Sequence, residues 1–140
     1  MANEAEILYE LEPAIPYTVA NATAITKGAV LRLTDPATAS AATADYDVIA
    51  GIAKEDKIAS DGKVRLGLYK RGIFKMTLSG SGTIGDAVGV FGDGSNKIGV
   101  LDVTGQTLSG ARCLGTLEET GTNGETVRVF VDIQQTWPSI

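Results

Sequence analysis

The sequence has 140 residues and not one histidine. That absence excludes imidazole general bases, His-ligated metals and every Ser-His-acid triad. The single cysteine, Cys113, cannot close an intramolecular disulfide, and without Cys or His partners it builds no zinc site. Also missing are a Gly-rich phosphate loop ending in Lys-Ser/Thr, a dinucleotide fingerprint after a strand, and a nucleophile elbow. The expectation is a protein with no catalytic residues, no cofactor and no metal. No apolar run approaches the ~18 residues of a membrane span, and the opening Met1-Ala2-Asn3-Glu4-Ala5-Glu6 is acidic where a signal peptide is basic. Cytoplasmic synthesis without signal-peptide secretion, and no membrane partner, are therefore expected. Twelve Lys and Arg against 17 Asp and Glu leave a net charge of −5, which argues against a nucleic-acid partner. Lys70-Arg71, with Lys63, Arg65 and Lys75 nearby, reads as solvated strand faces.

What the chain does contain is period-two alternation in short runs bounded by Gly, Asp, Asn or Ser. The runs at 29–33, 48–53, 63–69, 74–78, 87–91, 98–103, 111–117 and 127–133 read as eight strands. In the last, Val127, Val129, Val131 and Ile133 share one face, leaving Phe130 on the other, against a second buried face or a contact surface. Asp61-Gly62 and Asn123-Gly124 read as hairpin-type turns, and Asp93-Gly94-Ser95-Asn96 as a longer loop of the same kind. The uncharged Ala/Thr stretch at 37–44 has little to bury and reads as a surface loop. At most, 36–44 and 54–60 have room for a helical turn or two. The fold class expected is all-β, a small barrel or sandwich.

Comparing the chain with itself brings out a weak echo. Ile25-Thr26-Lys27-Gly28-Ala29-Val30 resembles Thr83-Ile84-Gly85-Asp86-Ala87-Val88 in its order of turn and strand. Gly51-Ile52-Ala53-Lys54-Glu55-Asp56 likewise resembles Gly115-Thr116-Leu117-Glu118-Glu119-Thr120. Two pseudo-repeated halves able to close on each other are expected.

The two ends differ from the middle. Ile7, Leu8, Tyr9, Leu11, Pro13, Ile15, Pro16 and Tyr17 form an apolar segment whose prolines forbid helix and favour a short strand followed by extended chain. It reads either as an edge strand of the domain or as an arm reaching a neighbouring molecule. Trp137 and Ile140 close the chain. The organisation expected is an extended arm over 1–16 and a single β-barrel-like domain over 17–140 with a short aromatic tail. The interface candidates are these ten residues. The carboxylate pairs Glu55-Asp56 and Glu118-Glu119 sit in extended chain where neighbours point to opposite faces, so they read as solvated turns. Cys113 reads as a small core residue.

Taken in order, several segments resemble the capsid cement or decoration proteins of tailed bacteriophages. They are Ala2-Asn3-Glu4-Ala5, Ala24-Ile25-Thr26-Lys27-Gly28-Ala29-Val30-Leu31, Ala50-Gly51-Ile52-Ala53-Lys54-Glu55-Asp56-Lys57, Arg71-Gly72-Ile73-Phe74, Gly85-Asp86-Ala87-Val88 and Leu114-Gly115-Thr116-Leu117-Glu118-Glu119. The resemblance covers residues 2–133. It implies a non-enzymatic structural virion protein on the outer surface of an assembled head, stabilising the capsid at capsomer junctions. Its implied partners are the major capsid protein and neighbouring copies of itself, as a homotrimer on the capsid. The alternative is a carbohydrate- or surface-binding β-module of a phage fibre or cell-surface protein, with Trp137, Tyr9, Tyr17, Tyr46 and Tyr69 as the only Trp and Tyr side chains to build a platform.

Overall fold

The structure, a computed structural model, describes residues 3–42, 45–91, 95–101 and 112–133. The described residues form eleven strands and no α-helix. They are β1 (Glu6–Glu10), β2 (Ile15–Thr18), β3 (Val30–Asp35), β4 (Thr38–Ala41), β5 (Ile49–Ala53), β6 (Arg65–Tyr69), β7 (Arg71–Thr77), β8 (Ala87–Val90), β9 (Ile98–Val100), β10 (Gly115–Leu117) and β11 (Thr126–Asp132). Strands β2-β4-β3-β5-β6 close into a five-stranded barrel, and the others form a six-stranded sheet in the order β1-β7-β11-β10-β8-β9. The fold is all-β, as the alternation predicts, and each of the eight expected runs holds a strand.

The sequence reading of 37–44 is corrected. Residues 38–41 are β4, antiparallel to β3 with Leu31 opposite Ala41 and Leu33 opposite Ala39. Poor strand formers are recruited because β3 offers an open edge and the small side chain of Ala39 is buried in the barrel beside larger neighbours such as Leu31 and Leu66. Among the described residues no helical turn forms over 36–42 or 54–60. Asp61-Gly62 and Asn123-Gly124 are turns within longer loops rather than two-residue hairpins. Those loops are pinned by the isolated bridges Ile25↔Lys57 and Gly82↔Gly121.

The internal echo corresponds to a structural repeat, visible in the pairing registers, but in its first half the match is shifted by one residue from the sequence reading: Gly28 corresponds to Gly85 and Val30 to Ala87, rather than to Asp86 and Val88. Val30 faces Ile52 as Ala87 faces Thr116. Ala53 faces Leu68 as Leu117 faces Val129, and Tyr17 faces Leu66 as Met76 faces Val127. Strands β2 to β6 therefore correspond in order to β7 to β11. A parallel contact ties first to third strand in each unit, Thr18↔Thr38 in one and Leu78↔Ile98 in the other. Even turn bonds recur. Gly28 N–H donates to Ala53 C=O at 2.9 Å as Gly85 N–H does to Leu117 C=O at 2.8 Å. Both glycines have φ near +90°, at 87° and 93°, a backbone conformation that side chains rarely adopt.

Packing joins the units. Leu31, Ala39, Ala50, Leu66 and Leu68 fill the barrel of the first unit. A larger cluster combines Met76, Leu78, Val88, Val127 and Val129 of the second unit with Ile49, Ile52 and Tyr69 from the outside of the first. Every residue of β5 is consequently buried, one face in the barrel and the other against the second unit, which explains its unbroken apolar sequence. Buried Asn96, at φ 60°, bonds across the junction: its Oδ1 accepts from Val30 N–H at 2.8 Å and its Nδ2 donates to Gly28 C=O at 3.0 Å.

Candidate interaction surface

The N-terminal segment is extended, and both of its strands pair within the chain. β1 lies antiparallel on β7, with Ile7 opposite Phe74 and a bulge at Leu8, and β2 lies on β6 with Ile15 opposite Leu68. Ile7 packs on the shared core and Tyr17 on the barrel core. The segment still presents apolar surface: Tyr9 is 58%, Leu11 48% and Ile15 39% exposed, and Pro13 and Pro16 are exposed beside them. Eight of the ten interface candidates therefore lie along one continuous stretch of chain, with Leu8 half-buried. Trp137 and Ile140 lie outside the described residues.

Charge borders this strip. The Arg128 guanidinium stands over the Tyr9 ring at 5.5 Å, and its Nε donates to Glu118 at 2.8 Å. The Lys70 ammonium stands over Tyr17 at 5.1 Å. These cation–π contacts fix the two rings in place. Glu10 and Glu12 alternate with the apolar residues along the strip.

The carboxylate pairs do not converge. Asp56 accepts from Lys27 N–H and Glu55 pairs with Lys63. Glu119 accepts from Arg128 N–H while Glu118 binds its side chain. Each caps a turn or neutralises a neighbour, as extended-chain geometry predicts. Asp61 and Glu125 occupy equivalent turns. Bonds from Lys63 N–H, Lys57 and Ile58 N–H hold the Asp61 carboxyl below the ordinary carboxylate range, and the Thr122 hydroxyl and N–H do the same for Glu125. The buried Lys57 ammonium is fully engaged, reaching Asn21 C=O at 2.6 Å, Ile58 C=O at 3.1 Å and Asp61 at 3.3 Å. Cys113 is buried, and burial pushes its thiol pKa up, which makes it unreactive. Among the described residues no group of three acidic, Cys or His side chains gathers as a metal site, and no helix is long and apolar enough to cross a membrane.

The surface of the described residues includes two concavities. A cleft of about 400 Å³ between the units has an apolar floor that includes Ile52, Tyr69 and Phe74, and a mouth carrying Glu4, Glu6, Lys27 and Asp56. A shallow recess of about 200 Å³ on the outside of β10 and β11 is lined by Gly115, Thr116, Phe130 and Asp132. Phe130, which alternation sets on the face opposite the core, is half-buried there. Neither recess assembles a nucleophile with a base.

No protein-family model matches the sequence, and no curated protein sequence matches it. Among solved structures the chain is similar to the N base of head fiber gp8.5 in bacteriophage phi29. The TM-score is 0.53 at 14% identity, and the match covers 85% of this chain and 92% of that one. At that identity the likeness is one of fold.

Proposed function

We propose that this chain is a structural module of a phage virion, held on the outer surface of the head as the base of a head-attached appendage, without enzymatic activity. The observation that carries the proposal is the shared architecture with a head-fibre base over 92% of that chain. The exposed apolar strip over 9–16 supports it, because such a strip suits docking better than chemistry. A fibre-base role is preferred to a dedicated cement, since the similar structure is a fibre base by name. Tyr9 is a poor glycan platform because one face of its ring is taken by Arg128.

Two finer elements belong to the same proposal. The partners are the major capsid protein and neighbouring copies, grouped as trimers at capsomer junctions. Capsid stabilisation then follows by linkage, since a module that binds the lattice and not free subunits favours the lattice, and multiple copies act together. The docking residues are those of the N-terminal strip, with Trp137 and Ile140 as the C-terminal candidates.

The test is co-sedimentation of purified protein with undecorated heads of the phage that encodes it. Saturable binding, weakened about tenfold or more by Leu11→Asp, is expected. Absence of binding at about 10 μM protein would refute the head-surface reading. Heat resistance of the decorated heads, measured in parallel, separates a stabilising base from a passive one.

A further inference from the structure

The cleft between the units lies outside the 9–16 strip. It holds about 400 Å³, within the ~300–1,000 Å³ of ligand sites, over a floor that includes Ile52, Tyr69 and Phe74. Tyr69 sets the cleft apart. It is 8% exposed, its ring is fixed edge-on against Phe74 at 5.8 Å, and its hydroxyl makes no hydrogen bond among the described residues. A buried phenol ordinarily finds a partner, and the cleft that Tyr69 lines is where one can enter. The mouth is rich in acceptors, with the carboxylates of Glu4, Glu6 and Asp56 against the single ammonium of Lys27. The repeat shows that the turn itself does not require this charge. Asp56 accepts from Lys27 N–H at 2.7 Å, and at the equivalent turn of the second unit the neutral Thr120 hydroxyl accepts from Ile84 N–H at 3.0 Å. The first unit thus places a carboxylate at the cleft where its counterpart holds the same turn with a hydroxyl.

We propose that this cleft binds an arginine side chain carried on an exposed segment of a partner protein. The assignment is independent of the head-surface reading. Each part of the cleft suits one part of that side chain. The floor takes an apolar stem, the carboxylates accept from a cation, and Tyr69 offers its hydroxyl oxygen as a further acceptor. A guanidinium supplies five N–H donors in a rigid plane, enough for the phenol and a carboxylate at once, and its flat faces suit aromatic walls. A lysine ammonium is a compact, strongly hydrated charge and gives up more on reaching an apolar floor. An anionic or neutral apolar group leaves the carboxylates unmatched. Among the residues lining the cleft, Lys27 alone opposes a cation. Glu4, Glu6, Lys27 and Asp56 are exposed, so the main chain that bears the arginine has room to pass outside the mouth.

The experiment titrates the full ¹⁵N-labelled chain with N-acetyl-arginine N-methylamide and with the equally capped citrulline, which keeps the shape and loses the charge. Capped arginine is expected to bind in the millimolar range, to shift the amides of Glu6, Lys27, Asp56 and Tyr69, and to bind about fivefold or more tightly than capped citrulline. Shifts confined to other residues, no shifts at about 20 mM probe, or equal binding of the two probes would overturn the assignment. Tyr69→Phe removes only the hydroxyl and Glu6→Gln only a charge. Each is expected to weaken binding about threefold or more at an unchanged urea midpoint. Lys27→Ala is expected to strengthen binding about twofold or more, a gain that a merely structural role for these residues would not produce. Wild-type affinity in all three variants would overturn the site. Agmatine, a guanidine with no main chain, bound more tightly than capped arginine would replace the partner protein by a small molecule and overturn the proposal as stated.

Discussion

Asn96 ties both units and the N-terminal lead-in through one carboxamide. Replacing it with alanine strands the Val30 N–H at the unit junction and takes one of two donors from the Gly28 C=O, which keeps the Ala5 N–H at 3.0 Å. Asn96→Ala is therefore expected to cost about 1–3 kcal/mol, read as a lower urea midpoint with an unchanged slope. Asn96→Asp keeps the volume but offers an acceptor to the carbonyls of Gly28 and Asn3, and should be no better tolerated. Nothing in the sequence marks this residue beyond its place in a turn, because its partners lie more than 60 residues away. Asp61 and Glu125 show a second residue-scale effect. Their folded pKa values are depressed, so their stabilisation is complete above the ordinary carboxylate range and is lost as pH falls through the lowered folded values. The urea midpoint should therefore respond to these groups only below about pH 4.5. The Asp61→Asn, Glu125→Gln pair should flatten that acid limb. An unchanged acid limb in the double variant would contradict the assignment.

Among the elements the informative contrast is between the equivalent strands β7 and β2: β1 covers the outer side of β7, whereas β4 meets β2 only at Thr18. The Ile73 and Lys75 amides beneath β1 should exchange with deuterium far more slowly than the Ala14 amide, and comparable rates would contradict the register. Deleting residues 1–10 removes β1, uncovers Phe74 and should lower stability by about 3 kcal/mol in urea unfolding. Most strands were legible from alternation alone, since one buried face imposes period two. β4 was not, because small residues such as Ala39 carry no alternation signal and pair only once β3 supplies an edge. The N-terminal prolines marked an extended edge segment, but its pairing partners β6 and β7 lie too far along the chain for local pattern to name. At the candidate surface, the apolar side chains were visible in sequence, while the Arg128 and Lys70 cations that border it come from distant strands.

At the scale of the whole molecule, two copies of one five-stranded motif share a core and use the N-terminal segment as their common splint. The order of turn and strand in Gly28-Ala29-Val30 and Gly85-Asp86-Ala87-Val88 was readable, but its register was one residue off, because the positive-φ glycines Gly28 and Gly85 that fix it show only in the backbone. The unequal edges of the two units were not readable, since they depend on where β1 lies in space. On the proposed function the molecule docks on a phage head through the strip containing Leu11, Pro13 and Ile15. A cryo-electron microscopy map of heads decorated with the full chain tests it directly. The expected map shows the module on the outer surface with the strip of Leu11, Pro13 and Ile15 turned toward the shell. A map with that strip facing solvent, and the shell contacted through another face, would contradict it.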